Sequence, residues 1–137
     1  MLMDDFYTII DRVEADDVKG SALEKSGKRY DFTIKLNPDH PVYGGHFPGN
    51  PIVPGVCQVQ MIKELTTVIL KKEVNLSQSD NIKFLSMIRP NETPLLKVSI
   101  DIREKETDFW NVTVAISKDE QVFLKFKGLM CTDSRQI

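Results

Sequence analysis

Apolar and polar residues alternate along three successive stretches of the C-terminal half of the chain. The stretches cover residues 96–103, 110–117 and 122–127. Successive side chains of a strand point to opposite faces of a sheet, so this alternation is typical of strands with one buried face. Three such strands in succession predict an antiparallel meander.

Two further strands and one helix are predicted upstream of this meander. Residues 30–36 alternate in the same way, and the apolar residues within 82–88 mark a strand that ends before Pro90. Residues 54–72 form the only long segment that suits a helix, which would open at Pro54 because proline is favoured in a first helical turn. One face of this helix carries the polar residues Gln60, Lys63, Glu64, Thr67 and Lys71. We therefore expect an α+β fold in which one helix covers an antiparallel sheet of at least five strands.

Length and charge limit what the chain can be. Its 137 residues are about one ordinary domain, so we expect a single domain over residues 1–137. The 18 basic and 20 acidic residues give a net charge of −2, which does not favour nucleic acid as a partner. The N-terminus carries acids where a signal peptide needs positive charge, and no apolar run reaches the roughly 20 residues of a membrane span. A cytoplasmic location is the expectation.

Few residues of the chain could bind a metal. The two cysteines, Cys57 and Cys131, and the two histidines, His40 and His46, lack the spacing of metal ligands. We expect neither a metal ion nor another cofactor.

One segment carries a more specific signal. The sequence GHFPGNPIVPGV, residues 45–56, resembles the active-site signature of hot-dog fold (3R)-hydroxyacyl-[acyl carrier protein] dehydratases, in which His-Phe-Pro-Gly-x-Pro-x-x-Pro-Gly precedes a long central helix. Residues 82–100, IKFLSMIRPNETPLLKVSI, resemble the next pair of strands in that family. The resemblance implies a hot-dog fold, in which a curved antiparallel sheet wraps the helix. It also implies a homodimer, or a multiple of dimers, with the acyl pocket at the interface between two protomers.

The resemblance assigns roles to several residues of this segment. Removing water from a 3-hydroxyacyl thioester requires a base for a C2 proton, an acid for the hydroxyl, and stabilisation of charge on the thioester oxygen. His46 matches the family's catalytic histidine, and imidazole can take and return a proton near neutral pH. Gly55 matches the glycine whose backbone N–H faces the thioester carbonyl, at a helix start that favours negative charge. Phe47, Pro54 and Val56 are implied as substrate-binding residues.

The chain departs from the family at two helix positions. Gln60 stands where the family has its catalytic Glu or Asp, and Glu64 stands one turn later, where the family commonly has Gln. Gln60 has no titratable proton, so it can orient a hydroxyl or a water but cannot act as a general acid. Glu64 is displaced by roughly 5.4 Å along the helix. It could act through a bridging water, or it could simply belong to the exposed polar face of the helix.

Three functions therefore stay open. The first is a hydro-lyase of fatty-acid or related acyl-chain synthesis, which would use His46 with Gln60 as a positioning group or with Glu64 through water. The second is a thioesterase in which Glu64 activates water. The third is a noncatalytic acyl-binding subunit that pairs with an active paralogue. In each case the ligand would be a thioester of acyl carrier protein or of coenzyme A.

Overall fold

The computed structural model describes residues 2–18 and 27–132. Within these ranges the chain forms six strands, one α-helix and a short 3₁₀ helix at Pro41–Gly44. The elements are β1 (Tyr7–Val18), β2 (Gly27–Leu36), α1 (Gly55–Leu70), β3 (Asn75–Phe84), β4 (Leu95–Glu106), β5 (Phe109–Lys118) and β6 (Gln121–Cys131). The helix and the C-terminal meander lie where the sequence predicts them.

The six strands form one sheet in the order β1-β2-β4-β5-β6-β3, with every neighbouring pair antiparallel. Strand β1 is one edge of the sheet and β3 is the other. The chain leaves the sheet after β2 and passes through the loop at residues 37–54 and the helix before it returns at β3. The segment with the sequence signature is therefore held between the sheet and the helix start.

The two ends of helix α1 are defined by their backbone conformations. Pro54 is its N-cap in an extended conformation, and the Lys71 cap is left-handed, with φ of 58° and its N–H donating to the Thr67 carbonyl at 2.8 Å. The buried face of the helix shares one core with the inward-facing residues of the sheet, and its apolar members are Met61, Ile62, Leu65 and Ile69. This arrangement confirms the expected α+β fold. No helix in the described part of the chain is long and apolar enough to cross a membrane.

The two edge strands differ from the prediction. Strand β1 was not predicted at all, because most of its described side chains are exposed and its pattern does not alternate. Strand β3 begins at Asn75 and ends at Phe84, so the predicted continuation toward Pro90 is wrong. Two bulges shift the register of β3, and most of its residues are exposed, which removes the periodic signal. Ile88 is buried outside the strand, and its carbonyl accepts the Val53 N–H at 2.9 Å.

Candidate active site

The loop that carries His46 is closed by its own backbone. Phe47 and Asn50 exchange two hydrogen bonds, with N–H to carbonyl distances of 3.3 and 2.9 Å. The His46 carbonyl accepts the N–H of Ile52 at 3.3 Å. Gly49 lies inside this turn with φ of +75°, a conformation that glycine adopts without the strain other residues incur. These contacts hold His46 at a defined position beside the helix start.

A second set of contacts ties the loop to the connection between β3 and β4. The Arg89 guanidinium donates to the Asn50 side-chain oxygen at 2.6 Å, and Val53 donates to the Ile88 carbonyl. Direct hydrogen bonds therefore connect the two segments that resemble the dehydratase family, although these segments are far apart in sequence.

A cleft of about 570 Å³ opens between these segments. Its walls come from residues 46–47, 52–55, Gln58 and 84–87. The volume falls in the range of small-molecule sites, and most of the lining is apolar. His46 is the only titratable residue among those that line the cleft.

The His46 ring is half-buried and stacks on Phe47, with their ring centroids 4.2 Å apart. Its nitrogens have no hydrogen-bond partner in the described part of the chain. Gly55 also lines this cleft, as the first residue of the helix, where backbone N–H groups have no partner within the helix. Among the described residues, none accepts the Gly55 N–H. The cleft is therefore lined by a proton-transfer group and by a residue with an unpaired backbone donor.

The predicted substrate-binding residues divide into two groups. Phe47 and Pro54 line the cleft, as Gly55 does. Phe84 packs over Gly55 so closely that a β-carbon there would lie 2.9 Å from the end of the ring. Val56 does not line the cleft, and its side chain is 77% exposed, so the geometry of one chain does not support a substrate contact there.

Gln60 and Glu64 lie in a second pocket, which shares no lining residue with the cleft. Residues 58 and 60 are separated by about 200° around the helix axis. Gln58 accordingly lines the cleft, whereas Gln60 faces the other pocket together with Glu64, Lys63 and Met3. Within one chain, the expected partners of His46 do not reach it.

Glu64 is buried, and the interpretation of it as part of an exposed polar face is wrong. Its side chain is only 6% exposed because the N-terminal segment covers it. Its carboxylate accepts four hydrogen bonds, from the N–H of Leu2 at 2.7 Å, the N–H of Met3 at 2.9 Å, the hydroxyl of Tyr7 at 3.1 Å and the amide of Gln60 at 2.8 Å. Burial, together with the nearby Glu64 charge and this hydrogen bond, raises the pKa of Tyr7. Glu64 thus ties the N-terminus to the helix.

The contact with Glu64 also fixes which way the Gln60 amide faces. A carboxylate only accepts hydrogen bonds, so the nitrogen of Gln60 must point to Glu64. The oxygen of Gln60 is then its remaining polar atom, and it can accept a hydrogen bond but not donate a proton.

Gln58 is a cleft residue that sequence reasoning missed. It is only 3% exposed, and its amide nitrogen donates to the Val53 carbonyl at 3.3 Å. Its oxygen is buried and has no hydrogen-bond partner among the described residues. The sequence gives no signal for this, because one glutamine in a helix carries no pattern of its own.

Comparisons with known proteins show the family and the fold of the chain. A model of the ApeI-like family, described as ApeI dehydratase, matches residues 22–127. That match covers well over half of the chain, and the class it defines is a dehydratase of the hot-dog type. The chain belongs to the ApeI-like dehydratase family. Among the described residues, no group of His, Cys, Asp and Glu could hold a metal ion.

Curated relatives carry the name 3-hydroxyacyl-[acyl-carrier-protein] dehydratase FabZ. The protein of Rickettsia felis is 26% identical over 100 residues, which are 67% of this chain and 69% of that protein. The protein of Rickettsia canadensis is 26% identical over 132 residues, which are 90% of this chain and 87% of that protein. Both identities are modest, and the second alignment spans nearly the whole of each protein.

Solved structures show the same fold. The dehydratase heterocomplex ApeI:P from Xenorhabdus doucetiae matches with a TM-score of 0.58 and 18% identity, covering 90% of this chain and 96% of that one. An uncharacterized protein from Erwinia carotovora matches with a TM-score of 0.59 and 21% identity, covering 87% and 90% of the two chains. The hot-dog fold expected from the sequence is confirmed.

Proposed function

We propose that this protein removes water from a 3-hydroxyacyl thioester, with His46 as the only titrating group of the reaction. The observation that carries the proposal is the cleft itself, where His46 has free ring nitrogens, Gly55 has a free N–H, and no second titratable side chain is present among the described residues. The relatives named as 3-hydroxyacyl-[acyl-carrier-protein] dehydratases support an acyl carrier protein thioester as the substrate, in fatty-acid or related acyl-chain synthesis. A coenzyme A thioester is the alternative carrier.

The reaction balances with one histidine. Neutral His46 takes a proton from C2, and the charge that develops on the thioester oxygen is stabilised by the Gly55 N–H and the positive end of the helix. The C3–O bond then breaks as the C2–C3 double bond forms. His46 returns its proton to the departing hydroxyl, which leaves as water, and the protein regains its starting protonation state.

A second copy of the chain would complete the site. Apolar side chains that are about half-exposed or more line the cleft at Phe47, Phe84, Leu85 and Met87, and the exposed Val56 directly follows Gly55. Strand β3 ends beside them with an unpaired edge, which is a template for pairing with another chain. In such a dimer the Gln60 face of one protomer would lie against the cleft of its partner, and the Gln60 oxygen would orient a water there. Light scattering should give a mass at least twice 15.6 kDa.

A noncatalytic acyl-binding subunit is the second candidate. The observation that favours it is the absence of a carboxylate from the described lining of the cleft, because Glu64 is occupied by four donors on another face of the helix. The similar protein from Xenorhabdus doucetiae forms a dehydratase heterocomplex, which is the kind of assembly this candidate requires. The four hydrogen bonds to Glu64 also weaken the thioesterase hypothesis, since Glu64 would have to break some of them to activate water.

One assay separates the three functions. Purified protein is incubated with 3-hydroxyacyl and saturated acyl thioesters, and enoyl product and free thiol are followed separately. We expect enoyl product without thiol release, and we expect His46→Ala to abolish it while the fold is retained. The matched control is His40→Ala, since His40 lies outside the cleft. Its ring nitrogen caps the 3₁₀ helix by accepting the Val42 N–H at 3.1 Å. Release of thiol would support a thioesterase, and ligand binding without turnover would support the binding subunit.

A further inference from the structure

The Gln58 amide combines two features that rarely occur together. The nitrogen is identified, because only the amide nitrogen can donate to the Val53 carbonyl. The oxygen is buried without a partner among the described residues, and the residue lines the cleft that holds His46 and Gly55. Buried polar atoms nearly always have a hydrogen-bond partner, because leaving one unpaired is costly. A helix position inside the core would be better filled by an apolar side chain unless the oxygen has a use.

The chemistry of this oxygen defines what it can bind. An amide oxygen only accepts hydrogen bonds, so the ligand must bring a donor. A 3-hydroxyacyl chain has one donor, its 3-hydroxyl, whereas the enoyl chain formed by dehydration has none.

We propose that the Gln58 oxygen accepts the hydrogen bond of the substrate's 3-hydroxyl group and so selects 3-hydroxyacyl chains over enoyl and saturated ones. The hydrogen bond to Val53 is long at 3.3 Å, which leaves the amide free to shift toward a ligand in the cleft. This assignment rests on the proposed function, since it takes the substrate to be a 3-hydroxyacyl thioester.

The contact would also distinguish the substrate from the product. With its hydrogen donated to Gln58, the hydroxyl keeps its lone pairs free to receive the proton that His46 carries. Loss of water removes the donor, so the enoyl product leaves the Gln58 oxygen unpaired again and binds more weakly than the substrate. Gln58 therefore acts as a specificity-determining residue that touches the substrate but transfers no proton.

A matched pair of ligands tests this directly. (3R)-Hydroxyoctanoyl-pantetheine and octanoyl-pantetheine differ only in the 3-hydroxyl, so every donor of the pantetheine part cancels in the comparison. Binding of both is measured by calorimetry in the His46→Ala protein, which keeps the hydroxylated ligand intact. A site that hydrogen-bonds a hydroxyl group binds a ligand without that hydroxyl much more weakly. We therefore expect an affinity at least about tenfold higher for the hydroxylated ligand.

Adding Gln58→Met should reduce this preference to about one and leave the affinity for octanoyl-pantetheine nearly unchanged. The shape of the side chain is retained and only its polar atoms are lost. Gln78→Met is the control, because Gln78 is exposed on β3 outside the cleft and its amide donates to Asp80. If Gln58→Met does not fold, Gln58→Leu removes the same oxygen and gives the same test.

Two results would overturn the inference. One is a preference that survives in a folded Gln58 variant, and the other is equal binding of the two ligands to the His46→Ala protein. Failure of the proposed function is distinguishable, because a wild-type protein that performs no dehydration but shows a Gln58-dependent preference would still recognise the hydroxyl.

Discussion

Replacing Glu64 by alanine tests whether this residue is structural or catalytic. The change removes the acceptor of four donors, namely two backbone N–H groups, the Tyr7 hydroxyl and the Gln60 amide. A hydrogen bond to a charged group contributes about 1.5–3 kcal/mol, but such contributions do not add when the donors can turn to water. Only the bond from Tyr7 is fully buried, and the other three are partly buried. We expect a loss of about 3 kcal/mol in the free energy of unfolding.

A loss of this size is a substantial part of the roughly 5–15 kcal/mol that stabilises an ordinary domain, and it should lower the Tm by about 10 °C. Urea unfolding can be followed through Trp110, the single tryptophan of the chain. Hydrogen exchange at Leu2 and Met3 should become faster as their acceptor disappears. Glu73→Ala is the matched control, because Glu73 is exposed at the same pocket and its loss should change stability by less than about 0.5 kcal/mol.

Turnover separates the two roles of Glu64. If Glu64 only holds the N-terminal segment, folded Glu64→Ala protein should retain most of its dehydration rate. A variant as stable as Glu73→Ala that has lost turnover would refute this reasoning and make Glu64 a catalytic residue.

Three further predictions concern the contacts around the cleft and around Glu64. Gly55→Ala should change the free energy of unfolding by less than about 1 kcal/mol, because the Phe84 ring is half-exposed and can move. The same change should lower the dehydration rate by about 10²-fold because it narrows the cleft, and an unchanged rate would contradict this. Gln60→Glu should destabilise the protein, because it places two carboxylates next to each other. Adding Glu64→Gln should relieve this repulsion and raise the dehydration rate by part of roughly 10²–10⁴-fold, and a double variant with no gain in rate would contradict this. Because the pKa of Tyr7 is raised in the folded protein, the free energy of unfolding should fall above about pH 10. In urea titrations Tyr7→Phe should show a shallower fall with pH, and an equal fall in both proteins would exclude Tyr7 as its cause.

The sequence predicts those elements whose environment is uniform along their length. Strands β4 to β6 each have one buried and one exposed face, so their alternation is clear. The edge strands lack this contrast, and β3 contains two bulges, so β1 was missed and β3 was placed too late in the chain.

The site could be predicted only as far as local sequence determines it. The loop of His46 and the helix start at Gly55 are close in sequence, and both line one cleft. The burial of Glu64 depends on residues more than fifty positions away, and no helical pattern could show it. Gln58 has the same difficulty, because the cleft that it lines is formed together with residues 84–87, which are distant from it in sequence.

The pH dependence of kcat/KM for dehydration tests the central claim, that His46 is the only titrating group of the reaction, most directly. A base that must be neutral to take the C2 proton makes the rate rise with pH through a single ionisation and then stay level. A carboxylic acid or another proton donor acting beside His46 would instead add a second limb, on which the rate falls as that donor loses its proton. We expect the single rise, with no activity at any pH in His46→Ala. A bell-shaped profile would contradict it.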